Sequence, residues 1–151
     1  MKWNQNRSIM LSQGFILLFA LMLLGIDFTA FWIADWFVAF SLPLEGLRDG
    51  YLLLSTIYIG SIFAWILLFS LWQLLRNMQK AIVFDQSNIG HLRRAGWACF
   101  AASILCLISV LYYPPLIIIA IAAAFVGLIV RIIKNVFVEA EAMKNELDYT
   151  V

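Results

Sequence analysis

Apolar and polar positions fall along this chain in long blocks rather than short periods. Four apolar runs cover about 9–31, 51–75, 95–113 and 116–133. Each is long enough for a helix that crosses the hydrocarbon of a bilayer, which takes about 20 residues. A polar stretch, 76–94, separates the second run from the third, and a polar tail, 134–151, follows the fourth. The pattern predicts an all-α membrane protein: one domain of four transmembrane helices whose ends project as helix extensions.

Taken in order, the run from Ile9 to Phe31 is broken only by Ser12, Gln13, Asp27 and Thr29. Its basic start resembles a signal peptide, but the apolar stretch is too long and no small-x-small cleavage site follows, so it reads as the first span. TAFWIADWFVAFSLPLEGLRDG mixes Trp32 and Trp36 with acids, Pro43 and Gly50. That mixture suits a loop at the membrane interface, the depth that Trp prefers. Tyr112-Tyr113-Pro114-Pro115 makes a very tight turn between the third and fourth spans, since proline at the first helical positions gives up an N–H that would have no partner. After Ile133 the positions Val136, Phe137, Ala140 and Leu147 keep near one face against Lys134, Glu141 and Lys144, so the fourth helix is expected to run on to about Glu146 as an amphipathic rod.

The stretch Leu71–Trp97 is patterned more finely. Leu75, Met78 and Ile82 recur at helical spacing, carrying the second helix to about Lys80. Asp85 is placed to cap a new helix with its carboxylate, with Phe84 and Ile89 forming a hydrophobic staple. That helix would run through Ile89, Leu92 and Ala95 into the third span.

Composition and charge sharpen the picture. In 151 residues, 64% are hydrophobic and only 13% charged, too apolar for water alone to be the solvent. Of the ten Lys and Arg, two lie in the N-terminal tail, four in 76–94 and three from Arg131 onward, leaving only Arg48 on the other side. Positive residues stay inside, so both termini are expected in the cytoplasm: N-in and C-in. Small residues mark helix contacts: Ala120-x-x-x-Ala124 and Ala123-x-x-x-Gly127 on the fourth helix, Gly60-x-x-x-Ala64 on the second, and Ala95, Cys99 and Ser103 on the third. A four-helix bundle follows, and the same faces suit a homo-oligomer.

Candidate chemistry is sparse. Cys99 and Cys106 stand about 10 Å apart along one helix, too far for a disulfide. His91 has no ligand partner at metal spacing, and its arginine neighbours suit a solvated or headgroup-facing position. No phosphate loop, zinc motif or nucleophile elbow occurs, so neither enzyme activity nor a metal or cofactor is expected. Asp27 is the one acid inside an apolar span, and two readings stand for it. One is a carboxylate near the headgroups, bonded to Thr29 or interfacial water. The other is the ionisable group of a small oligomeric transporter or channel subunit. The basic stretch likewise reads either as a loop touching anionic lipid or as a protein-docking surface.

Two motifs carry a family likeness. One is Leu74-Leu75-x-Asn77-Met78-x-Lys80-x-x-Val83-Phe84-x-x-x-Asn88-Ile89-x-x-Leu92-Arg93. The other is Arg131-Ile132-Ile133-Lys134-Asn135-Val136-Phe137-x-x-Ala140, with the acidic ending Glu146-Leu147-Asp148-Tyr149-Thr150-Val151. On these the chain resembles bacterial four-span membrane proteins catalogued as domain of unknown function 2975, and the likeness covers nearly the whole chain. It departs from them at Ala81, Ile82 and Asp85, where the family often has glycine, a polar residue and threonine. Family genes commonly stand beside one for an Xre-like helix-turn-helix regulator. The resemblance therefore implies a protein of the bacterial inner membrane whose cytoplasmic platform binds that regulator, without touching nucleic acid itself. Phe84, Asn88, Leu92, Arg93, Arg131, Lys134 and Phe137 would form or organise the platform.

Overall fold

The computed structural model describes residues 2–40, 47–80 and 85–150. They form four helices: α1 Lys2–Phe40, α2 Leu47–Gln79, α3 Gln86–Ser109 and α4 Leu116–Tyr149. All four are long and apolar enough to cross a membrane. Large apolar side chains stand open along them, from Phe15 and Met22 on α1 to Ile118 and Phe125 on α4. Lipid is the medium that makes such exposure stable.

Successive helices run antiparallel. Gln79 Nε2 donates to Gln13 Oε1 at 3.0 Å, joining the end of α2 to the start of α1. Asn77 Nδ2 donates to Asn88 Oδ1 at 2.7 Å, joining the same end of α2 to the start of α3. Among the described residues, backbones approach within 8 Å only between α1 and α2, α2 and α3, and α3 and α4. The four helices are thus laid in chain order, each with its backbone closest to its chain neighbours.

Two small apolar cores lie at opposite ends of the series. Ala34, Leu53 and Leu116 form one, with Phe37, Ile57 and Tyr113 against it. Leu92, Ala95 and Val130 form the other, with Leu67, Leu74 and Phe137 against it. The first core explains a correction. Residues 29–40 continue α1 instead of forming an interfacial loop, because Ala30, Ala34 and Phe37 recur at helical spacing; Ala30 and Ala34 are buried, and Ala34 and Phe37 belong to that core. Phe37 also meets the Tyr113 ring edge-on, centroids 5.4 Å apart.

The small residues of α3 and α4 meet as their spacing foretold. A methyl added at Gly127 would stand 3.1 Å from Cys99 Cβ and 3.5 Å from the Gly96 carbonyl oxygen. Ser103 Oγ donates to the Ala120 carbonyl at 2.8 Å. On α2 the Gly60 position faces open space instead, with nothing within 4 Å of where a Cβ would be. The turn between α3 and α4 is as tight as its prolines require: Leu116 N–H bonds to Tyr113 O at 3.1 Å, and Ile117 N–H to Pro114 O at 3.1 Å. Buried Thr56 and Ser109 share a 3.0 Å hydrogen bond beside this turn, and Tyr112 donates to Ser109 Oγ at 2.6 Å. Each hydroxyl thus finds a partner where no water would supply one.

Candidate docking cleft at the polar end

The polar end of the series is built from the end of α2, the start of α3 and the middle of α4. Asp85 does precede α3, in extended conformation at φ −140° and ψ 149°, but its side chain makes no capping bond. Its backbone carbonyl accepts the Asn88 and Ile89 N–H groups instead, at 3.0 and 3.3 Å. The position of the helix start was readable, whereas the expected carboxylate cap is not formed. Phe84, and with it the staple, lies outside the described residues.

Along α3 the side chains divide by helical period. Asn88, Leu92, Ala95 and Cys99 turn inward and are buried. Asn88 is fully enclosed, at 0% exposure, so it organises the α2–α3 junction through Asn77 and offers no contact surface. Leu92 does the same through the apolar core, at 3% exposure, and half-buried Phe137 packs there from α4. His91 is half-buried rather than solvated, and its Nδ1 is buried without a hydrogen-bond partner.

Arg93, Gly96, Trp97 and Phe100 form the neighbouring stripe. With Leu92 and, from α4, Arg131 and Lys134, they line a cleft of about 200 Å³. Gly96 lies at its floor, close to α4: an added Cβ would stand in ordinary contact with Val130, at 3.7 Å. Four of the expected platform residues, Leu92, Arg93, Arg131 and Lys134, therefore converge from two helices on one cavity, three of them cationic. Among the described residues, none that lines it is acidic. Such a cleft suits an anionic group, because guanidinium presents a fork of donors and ammonium a point charge. Gly96, Trp97 and Phe100 were missed in the sequence, though they follow Arg93 at +3, +4 and +7, the spacing of one helical face.

Arg93 and Trp97 also border a second, larger space. A groove of about 900 Å³ runs between α2 and α3, walled by Phe63, Ile66, Phe69, Ala98 and Ala101 and topped by Arg93 and Arg94. Between the polar end and the Ala34–Leu53–Leu116 core, Asp27 joins α1 to α2: its carboxylate accepts from Ser61 Oγ and, at 3.2 Å, from Trp65 Nε1, whose ring also lines the groove. Among the described residues no group of three or more His, Cys, Asp or Glu side chains could hold a metal ion. Both cysteines are free.

Four apolar, membrane-length helices carrying polar chemistry at one end define an integral, multi-pass membrane protein. The chain belongs to the family described as Protein of unknown function (DUF2975), whose model matches residues 32–151. The match takes in the last turns of α1 and everything after them, so the first expected span, 9–31, falls outside it. No curated protein and no solved structure matches the chain.

Proposed function

We propose that this is a non-enzymatic docking protein of the bacterial inner membrane, N-in and C-in, whose polar end binds a cytoplasmic protein. The convergence of Arg93, Arg131 and Lys134 on one cleft carries the reading. Two neighbouring features support it. The α4 helix continues to Tyr149, a further 15 residues past Lys134, giving a partner a rigid rail beside the cleft. The Leu92–Ala95–Val130 core holds the two cationic helices, α3 and α4, against each other, and the Asn77–Asn88 bond ties the start of α3 to α2.

The partner's contact surface carries carboxylates, matching the cleft by charge and leaving specificity to its shape. An Xre-like helix-turn-helix regulator is the partner that the family resemblance favours. In that arrangement its DNA-binding face stays free and the membrane protein sequesters or releases it.

Co-purification of the full chain with a co-expressed Xre-like regulator tests this. Arg131→Glu with Lys134→Glu is expected to lower capture at least tenfold, since each reversal turns an attraction into a repulsion. Tyr51→Glu, exposed on α2 at the end of the molecule opposite the cleft, leaves capture unchanged. Equal capture by the wild type and the double variant would remove the cleft from the docking surface.

A further inference from the structure

The geometry points to a binding site for one anionic phospholipid in the groove between α2 and α3, its phosphate held by Arg93 and Arg94 and an acyl chain lying against Phe63, Ile66, Phe69 and Ala101. This surface is distinct from the proposed protein-docking cleft, sharing only Arg93 and Trp97 with it.

Depth is the first argument. Ser109 ends α3 15 residues beyond Arg94, about 23 Å along the axis at the helical rise. The Tyr112–Pro115 turn lies beyond it, so Arg93 and Arg94 reach the opposite edge of a hydrocarbon layer about 30 Å thick. That is the depth of lipid phosphates. Trp97, one turn further in and 65% exposed, stands where an indole favours the interface.

The groove's chemistry is the second. Along α3 it extends from Arg93 to Ala101, about 12 Å at the same rise, and its volume of about 900 Å³ admits the upper part of an acyl chain. Ser70 lies at its polar end, but its hydroxyl already bonds to the Ile66 carbonyl at 2.8 Å, so the wall offers a chain no competing donor. The apolar wall thus ends under two guanidinium groups, and both arginines are exposed.

Charge complementarity is the third. Among the described residues, none that lines the groove is acidic. Arginine pairs a phosphate through two N–H groups at once, and two adjacent arginines favour a headgroup of net negative charge over a zwitterion, whose ammonium they repel. A free phosphate would use the arginines and leave the apolar wall uncovered, so the occupant is the lipid.

Native mass spectrometry of the detergent-purified full chain, titrated with phosphatidylglycerol or phosphatidylcholine, tests the site. Phosphatidylglycerol is expected to be retained in preference. Arg94→Gln should weaken its retention about fivefold, and Arg93→Gln with Arg94→Gln about 25-fold, at the worth of one basic residue near an anionic surface. Ala101→Trp, which fills the groove and keeps both charges, should weaken it as well. Arg131→Gln with Lys134→Gln should leave it intact, which separates this site from the docking cleft. Equal retention of the two lipids would overturn the site, as would full displacement by inorganic phosphate or a larger loss from the Arg131 and Lys134 pair than from Arg93 and Arg94. Unchanged helicity by circular dichroism checks that each variant is folded, and the single Arg94→Gln change at an exposed position serves where the double variant is not.

Discussion

At the scale of single residues, the acid in the first span shows how a polar group is accommodated in an apolar helix. Thr29, its expected partner, instead donates to the Gly25 carbonyl at 2.7 Å, within α1. Asp27 reaches across to α2, where Ser61 and Trp65 donate to its two carboxylate oxygens and Tyr58 donates to its backbone carbonyl at 3.4 Å. Sequence could not supply this pairing, because it depends on the register of two helices 34 and 38 positions apart. Interhelical hydrogen bonds in bilayers are worth about 0.6–2 kcal/mol. Asp27→Ala should therefore lower stability by about 1–2 kcal/mol, read as reversible unfolding in mixed detergent micelles. Asp27→Asn keeps an acceptor for Trp65 and should cost less than about 1 kcal/mol. If the two substitutions cost the same, the charge matters rather than the hydrogen bonds, and the carboxylate is the group to follow in a flux assay.

Between elements, the α3–α4 pair is the tightest seam, and it was also the most legible. Recurring Ala95, Cys99 and Ser103 on one helix, and the small-residue face of the other, announce close approach wherever side chains are too small to hold backbones apart. Gly127 realises it, with Cys99 Cβ 3.1 Å from the position of a missing methyl. Gly127→Ala requires α3 and α4 to part by a few tenths of an ångström, because Cys99 Cβ is fixed to the α3 backbone, and should cost less than a bulkier replacement. Gly127→Leu should destabilise by about 1–3 kcal/mol or more, the range for overpacking, and should open the seam enough for buried Cys99 to react with a small maleimide. Continued protection of Cys99 in that variant would show that α4 can slide without parting from α3. The same small-residue argument failed at Gly60, which faces open space, because spacing marks a smooth face without saying whether another helix lies against it. Helix boundaries were legible where polarity changed abruptly, as at Gln79 and Asp85. They were not at Thr29–Phe40, where aromatic and acidic residues resemble an interface although Ala34 and Phe37 pack as helix. The cleft was half legible: its cations stand out in the sequence, but Gly96, Trp97 and Phe100 look like any apolar stretch until α4 is laid beside them.

For the whole molecule, the serial packing has a consequence for how the chain lies in a membrane. With the α1 backbone packed along α2 and its Phe37 end reaching Tyr113, its other faces carry Met10, Leu11, Phe15, Leu18 and Met22 into the surroundings. A bilayer must wet those faces at both leaflets, and orientation then rests on which end the cations occupy. Gln13, Gln79, Asn88, Arg93 and Arg131 share one end of the antiparallel series, while the Tyr112–Pro115 turn and the Ala34–Leu53–Leu116 core share the other. The N-in, C-in topology proposed above, with Lys and Arg retained in the cytoplasm, would put the cleft and the α4 extension inside the cell. Cysteine labelling can measure this directly on a cysteine-free background made by replacing Cys99 and Cys106 with alanine. Lys144→Cys, exposed on the α4 extension, should react with a membrane-impermeant maleimide only after the cells are lysed. Tyr51→Cys, 68% exposed at the opposite end, should react in intact cells. The reverse pattern would put the cationic cleft outside, where no cytoplasmic regulator could reach it, while the lipid groove between α2 and α3 would remain available to the outer leaflet. One labelling experiment thus bears on the docking proposal without prejudging the lipid site.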